Sequence, residues 1–252
     1  MIKNKKIIIA LTAAFLTAES ILGLLLQTSQ SEIPINLRYT SVVLACLFCI
    51  LFAEKSLSYL FTQIALLCTV GADFFLVYLD EIRQLPAMIF FSIVQIAYFL
   101  RLYFEDGNKT RRKVHLIVRA SLSVAIILIT LLVLGKNSDA VALVSMFYYV
   151  NLVLNAIFAF IFFKKNPIFA IGLLLFILCD TVIGFSLIDT YLPLAEDSFV
   201  YKIIYPGFDL AWAFYLPSQA LLAVSLLPKQ KSSTWGTCDK AGTPTKFALS
   251  GK

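Results

Sequence analysis

Four acidic residues stand inside long apolar stretches of this sequence: Glu19, Asp73, Asp180 and Asp209. A charged side chain at the centre of a lipid-crossing helix costs about 2.5 to 3.5 kcal/mol to insert, so each needs a partner, a cavity or a task. Two carboxyls in one low-dielectric pocket can divide labour, because the charge on the one that ionises holds the proton on the other. Such a pair offers hydrolysis a proton donor and an anionic base. The same acids would suit a proton relay or a cation site in a proton-coupled transporter or a lipid-binding membrane protein. Neutral hydrogen-bonding groups recur beside them: Gln95 and Tyr98, then Tyr148, Tyr149, Asn151 and Asn155, then Tyr215, Ser218 and Gln219. Gln95 with Tyr98, and Tyr215 with Gln219, are spaced so that each pair shares one helix face. Amides and hydroxyls commonly just tie membrane helices together. An aspartate does that at higher desolvation cost, which singles out Asp73 and Asp180 as candidate catalytic groups. Glu19, Gln95, Tyr98, Asn155, Tyr215 and Gln219 are the candidate substrate-binding groups around them.

The elements that must hold these residues are membrane spans. Of 252 residues, 60% are hydrophobic and 14% charged, and the mean hydropathy is +0.87. A water-soluble domain of that composition would expose large apolar areas. About 20 apolar residues cross a hydrocarbon core of about 30 Å. The pattern predicts an all-α bundle of about eight spans, at 7–26, 37–53, 57–79, 85–104, 114–134, 140–163, 168–188 and 207–227. At 1.5 Å per residue, Asp73, Asp180 and Glu19 then lie about 9, 12 and 10 Å inside the same end of the bundle, with Asp209 close to the interface. A polar cavity between helices, open toward the outer leaflet, is the economical explanation. The first span could serve as a signal peptide with a small-residue site at Ala18-Glu19-Ser20, but the apolar run continues to Leu26, as in an uncleaved anchor.

Charge placement orients the bundle. The net charge is +6, but the cations fall in short clusters between apolar runs, so nucleic acid is not an expected partner. Lys3, Lys5, Lys6, Lys55, Arg101, Lys109, Arg111, Arg112, Lys113, Arg119, Lys164 and Lys165 share one side with the tail lysines, against Arg38, Arg83, Lys136 and Lys202 on the other. Flanking cations resist translocation, so both termini are expected in the cytoplasm of a multi-pass protein of the plasma or inner membrane. His115 falls in a predicted cationic loop and reads as part of that orientation signal. Residues 1–228 form one transmembrane domain in this reading, and 229–252 a flexible cytoplasmic tail. Cys46, Cys49, Cys68 and Cys179 sit in apolar runs and read as small buried hydrophobes. One histidine and no second CxxC pair leave no metal set, and no cofactor is expected.

Several stretches resemble the YhhN-like family of eight-span membrane proteins, whose characterised members are lysoplasmalogenases. They are TVGADFFL with Asp73, FFSIVQIAYFLRLY with Gln95 and Tyr98, AIGLLLFILCDTVIGF with Asp180, and AFYLPSQALLAVSL with Tyr215 and Gln219. Ala72, Gln95 and Cys179 stand where the family usually has Gly, His and Ser, and Lys55-Ser56 replaces a Lys-Pro. Gln95 cannot exchange a proton near neutral pH, so a histidine's role there is lost or transferred. The resemblance implies hydrolysis of a lysoplasmalogen vinyl ether, with the membrane lipid as substrate; the residues themselves point to Asp73 and Asp180 as the acid–base pair, with neither role assigned to either one.

Overall fold

The structure, a computed structural model, describes residues 5–28, 35–79, 83–191, 201–202 and 208–228. They contain eight α-helices: α1 (Lys5–Thr28), α2 (Ile35–Phe52), α3 (Leu57–Asp73), α4 (Gln84–Glu105), α5 (Lys109–Leu134), α6 (Ala140–Ile161), α7 (Pro167–Tyr191) and α8 (Leu210–Val224). All but α2 and α8 are long and apolar enough to cross a membrane, while those two contribute the shorter apolar stretches Leu37–Phe52 and Leu210–Val224. The tail expected over 229–252 lies outside the described residues.

Polar connectors end the helices by capping them. Asn108 accepts from the Arg111 N–H at 3.1 Å, and Asp139 from the Ala142 N–H at 2.7 Å. Asn166 accepts from the Phe169 N–H at 3.2 Å, with Pro167 in the first-turn position it favours. Asp209 caps α8 through the Trp212 N–H at 3.2 Å and pairs with Arg38 at 3.0 Å. That interfacial acid therefore has a local structural role.

The Asn108 cap corrects one boundary. Helix α5 begins at Lys109, ahead of the expected start at 114, so the cationic segment forms its first turns. His115 is consequently a buried helix residue stacked on Phe158, ring centroids 3.4 Å apart. Arg101 and Arg119 correct the expectation of flanking cations in the same way. Arg101 is fully buried, donates to Thr62 Oγ1 at 2.9 Å and Ser225 Oγ at 3.2 Å, and lies 3.7 Å over the Phe169 ring. Arg119 donates to Asn151 and Asn155, both at 2.5 Å. Those amides lie one turn apart on α6, and hydropathy cannot see that they meet a cation.

The helices alternate in direction, so one end of the bundle gathers the C-termini of α3, α5 and α7 with the N-termini of α4, α6 and α8. Helix α4 packs between α3 and α6, α8 packs on α7 and also meets α1, α2 and α3, and α5 lies at the edge against α6. Helices approach closely at two glycines. A Cβ on Gly71 would sit 2.9 Å from the Phe90 ring, and one on Gly172 would sit 3.0 Å from Leu222 Cγ. Exposed large hydrophobes such as Leu24, Leu51, Leu67 and Leu132 ring the exterior, the surface a bilayer would cover. This is a multi-pass helical membrane protein.

Candidate active site

Asp73 ends α3, and the chain then widens into a π-helical turn, Phe74–Tyr78. Such turns re-aim side chains and recur at functional sites. Asp180 sits within α7, on the turn that faces α6 and α8. Both carboxyls are buried, both line one cavity of about 610 Å³, and each lies within electrostatic range of the other.

Each acid has its own tyrosine. Tyr215 of α8 donates to Asp73 Oδ2 at 2.5 Å, and Tyr148 of α6 donates to Asp180 Oδ2. Beside them Tyr149 and Thr181 share a hydroxyl bond of 2.8 Å. The remaining wall is largely apolar, with Met88, Phe91, Ile129, Val133, Met146 and Trp212 among its residues. A volume of this size with few convergent polar groups is that of a small-molecule pocket. Its residues come from α3 to α8 near the end where Asp209 and Gly135 lie.

The sequence-predicted groups divide. Asp73, Asp180 and Tyr215 meet at the cavity, whereas Glu19, Gln95, Tyr98, Asn155 and Gln219 do not line it. Glu19 is buried between α1 and α2, where it accepts from Ser41 Oγ at 2.5 Å. Asn155 bridges Arg119 and Gln95, donating to Gln95 Oε1 at 3.0 Å. Tyr98 packs edge-on against Phe169, centroids 5.6 Å apart. Gln219 is buried one turn beyond Tyr215. Tyr148, which holds Asp180, was not assigned to the site by sequence reasoning, nor were Tyr149 and Thr181 beside it. The signal for Tyr148 was available, since it lies one turn from Asn151 on α6 and continues that polar face. Among the described residues no three His, Cys, Asp or Glu side chains gather as a metal site would require. Cys46, Cys49 and Cys179 are buried free thiols.

A bundle of apolar helices with two buried carboxyls facing an internal, largely apolar cavity defines a polytopic membrane protein with acidic groups inside its helical bundle. The model of the YhhN family matches residues 35–226, which run from α2 through α8 and include both aspartates, and the chain belongs to that family. No curated protein and no solved structure matches it.

Proposed function

We propose that this protein hydrolyses the vinyl-ether bond of a lysoplasmalogen, releasing a fatty aldehyde and a glycerophospho head group. The observation that carries the reading is the pairing of Asp73 and Asp180, each held by a tyrosine, on one otherwise apolar cavity. The alkenyl chain fits the greasy wall, and the head group lies toward the cavity end where the helices meet the interface.

Vinyl-ether cleavage begins with a proton placed on the outer vinyl carbon, leaving an oxocarbenium-like cation on the carbon bonded to oxygen. Water adds there and loses a proton, and the hemiacetal collapses to aldehyde and alcohol. One water is consumed, and the catalytic proton is returned. The protonated member of the aspartate pair donates, and the ionised member steadies the cation and accepts the proton from water. Either aspartate can fill either role, so the chemistry is assigned to the pair. Tyr148 and Tyr215 fix the direction of one oxygen on each carboxyl.

The test is to purify the protein, supply lysoplasmenylethanolamine and measure aldehyde release. Release lowered about 10²-fold or more by Asp73→Asn and by Asp180→Asn is the expected result. Proteoliposomes that move a solute with a proton gradient and release no aldehyde would instead assign the acids to transport.

A further inference from the structure

Buried polar atoms in folded chains are nearly always hydrogen-bonded, to protein or to ordered water. In one layer of this bundle Gln95 Nε2, Tyr98 Oη, Arg101 Nη2 and both side-chain polar atoms of Gln219 have no protein partner. All four residues are at most 1% exposed. Their relative depth follows from the bond between Arg101 on α4 and Ser225 at the C-cap of α8, 3.2 Å long, because both helices run away from the acid cavity. Gln95 and Gln219 each precede that linked pair by six positions, about 9 Å of helix, so they share a level, with Tyr98 midway toward Arg101.

This layer lies between two described features. On one side of it, Tyr215 lies one turn from Gln219 and holds Asp73. On the other, Arg101 Nε donates to Glu105 at 3.3 Å, and Glu105 lines a polar hollow of about 310 Å³ at the opposite end of the bundle. The Tyr98 hydroxyl is within electrostatic range of Arg101, Cys49 and Cys68, which places it between α2, α3 and α4. In the same stretch of α8, Pro217 cannot give the Ala213 carbonyl its helical hydrogen bond.

We propose that Gln95, Tyr98, Arg101 and Gln219 form a bound-water site, a short file of ordered waters running from behind Asp73 to the hollow beside Glu105. A buried water bonds about two to four polar groups that lack a protein partner, and five such atoms lie in this layer. The file supplies the water that hydrolysis consumes while the alkenyl chain fills the cavity. That second role rests on the proposed hydrolase activity; the water site does not.

Radiolytic hydroxyl labelling of the full chain in nanodiscs, in ¹⁸O-water, reads bound water at buried side chains independently of activity. Tyr98 should be labelled several-fold more than the stacked, apolar Phe15–Phe48 pair. Gln219→Leu and Gln95→Leu should each lower that label about twofold or more, with Gln219→Asn restoring much of it as a control for folding. In aldehyde release, Gln219→Leu should lower kcat about tenfold at unchanged KM. Tyr98 labelling no higher than the phenylalanine pair would overturn the water site. Labelling lost in Gln219→Leu with kcat unchanged would overturn the supply role. Strong Tyr98 labelling in a wild-type protein that releases no aldehyde would remove the hydrolase reading and its supply role while upholding the water site.

Discussion

A carboxyl that accepts a bond from a tyrosine hydroxyl has one oxygen fixed, which sets the direction in which the other can act. At Asp73 the fixing group is Tyr215 on α8, and at Asp180 it is Tyr148 on α6. If the pair is the acid and base, Asp73→Asn and Asp180→Asn each lower kcat by about 10²- to 10⁴-fold, the usual worth of a positioned proton-transfer group. The measurement is initial aldehyde release by variants whose detergent-solubilised elution profile matches wild type. Tyr148→Phe and Tyr215→Phe keep the carboxyls but free their orientation, so kcat falls by a smaller factor, about tenfold, with KM held. Equal losses in the aspartate and tyrosine variants would mean the hydroxyls themselves transfer protons. The two acids were legible because an aspartate inside an apolar run is anomalous on its own. Gln95, Tyr98, Asn155 and Gln219 were legible as buried polar groups but not as to their neighbours, since spacing gives a helix face and leaves open which helix it meets. Asn155 meets Arg119, a cation ordinarily read as a flank.

At the scale of elements, spans were readable to within a few residues because apolar length and polar punctuation coincide, and the start of α5 was missed because lysines and arginines there mask a helix that Asn108 caps. The α4–α5 junction yields a pH prediction. Asp106 accepts from Arg111 Nη2 at 2.6 Å and Nε at 2.7 Å and from the Asn108 N–H at 2.9 Å. The Arg111 bonds hold its carboxyl below the usual aspartate range. A pKa lower in the folded than in the unfolded chain adds stability that is complete above about pH 4 and disappears as pH falls through the depressed value. Asp106→Asn should therefore lower the thermal midpoint at pH 6 and converge with wild type in acid, as read by unfolding scans across that range. A second element prediction concerns the α7–α8 contact, where Ser218 Oγ also donates to the Gly172 carbonyl at 2.9 Å. Gly172→Val drives methyl groups into Leu222, whose backbone N would lie 3.3 Å from the first added carbon. Overpacking of that kind costs about 1 to 3 kcal/mol. It should appear as a lower unfolding midpoint, together with reduced aldehyde release because α7 and α8 carry Asp180 and Tyr215.

For the molecule as a whole, the site has meaning only with a direction in the membrane, and direction is written in charges rather than in packing. Arg101 and Arg119 are interior groups, so the orientation argument passes to the cations that do flank helices: Lys55, Lys109, Arg111, Arg112, Lys113, Lys164 and Lys165 at the end away from the acid cavity, against Arg38, Arg83 and Lys136 at the cavity end. Charge retention on the cytoplasmic side predicts a cavity mouth in the outer leaflet and a Glu105 hollow at the cytoplasmic face. Single cysteines test this in a background where the tail thiol is removed by Cys238→Ser. A thiol at Asn137, beside Gly135, should react with a membrane-impermeant maleimide on intact cells, and one at Asn108 should react only after permeabilisation. The reverse pattern would turn the bundle over, so that lipid would reach Asp73 and Asp180 from the inner leaflet and the proposed water file would draw from outside.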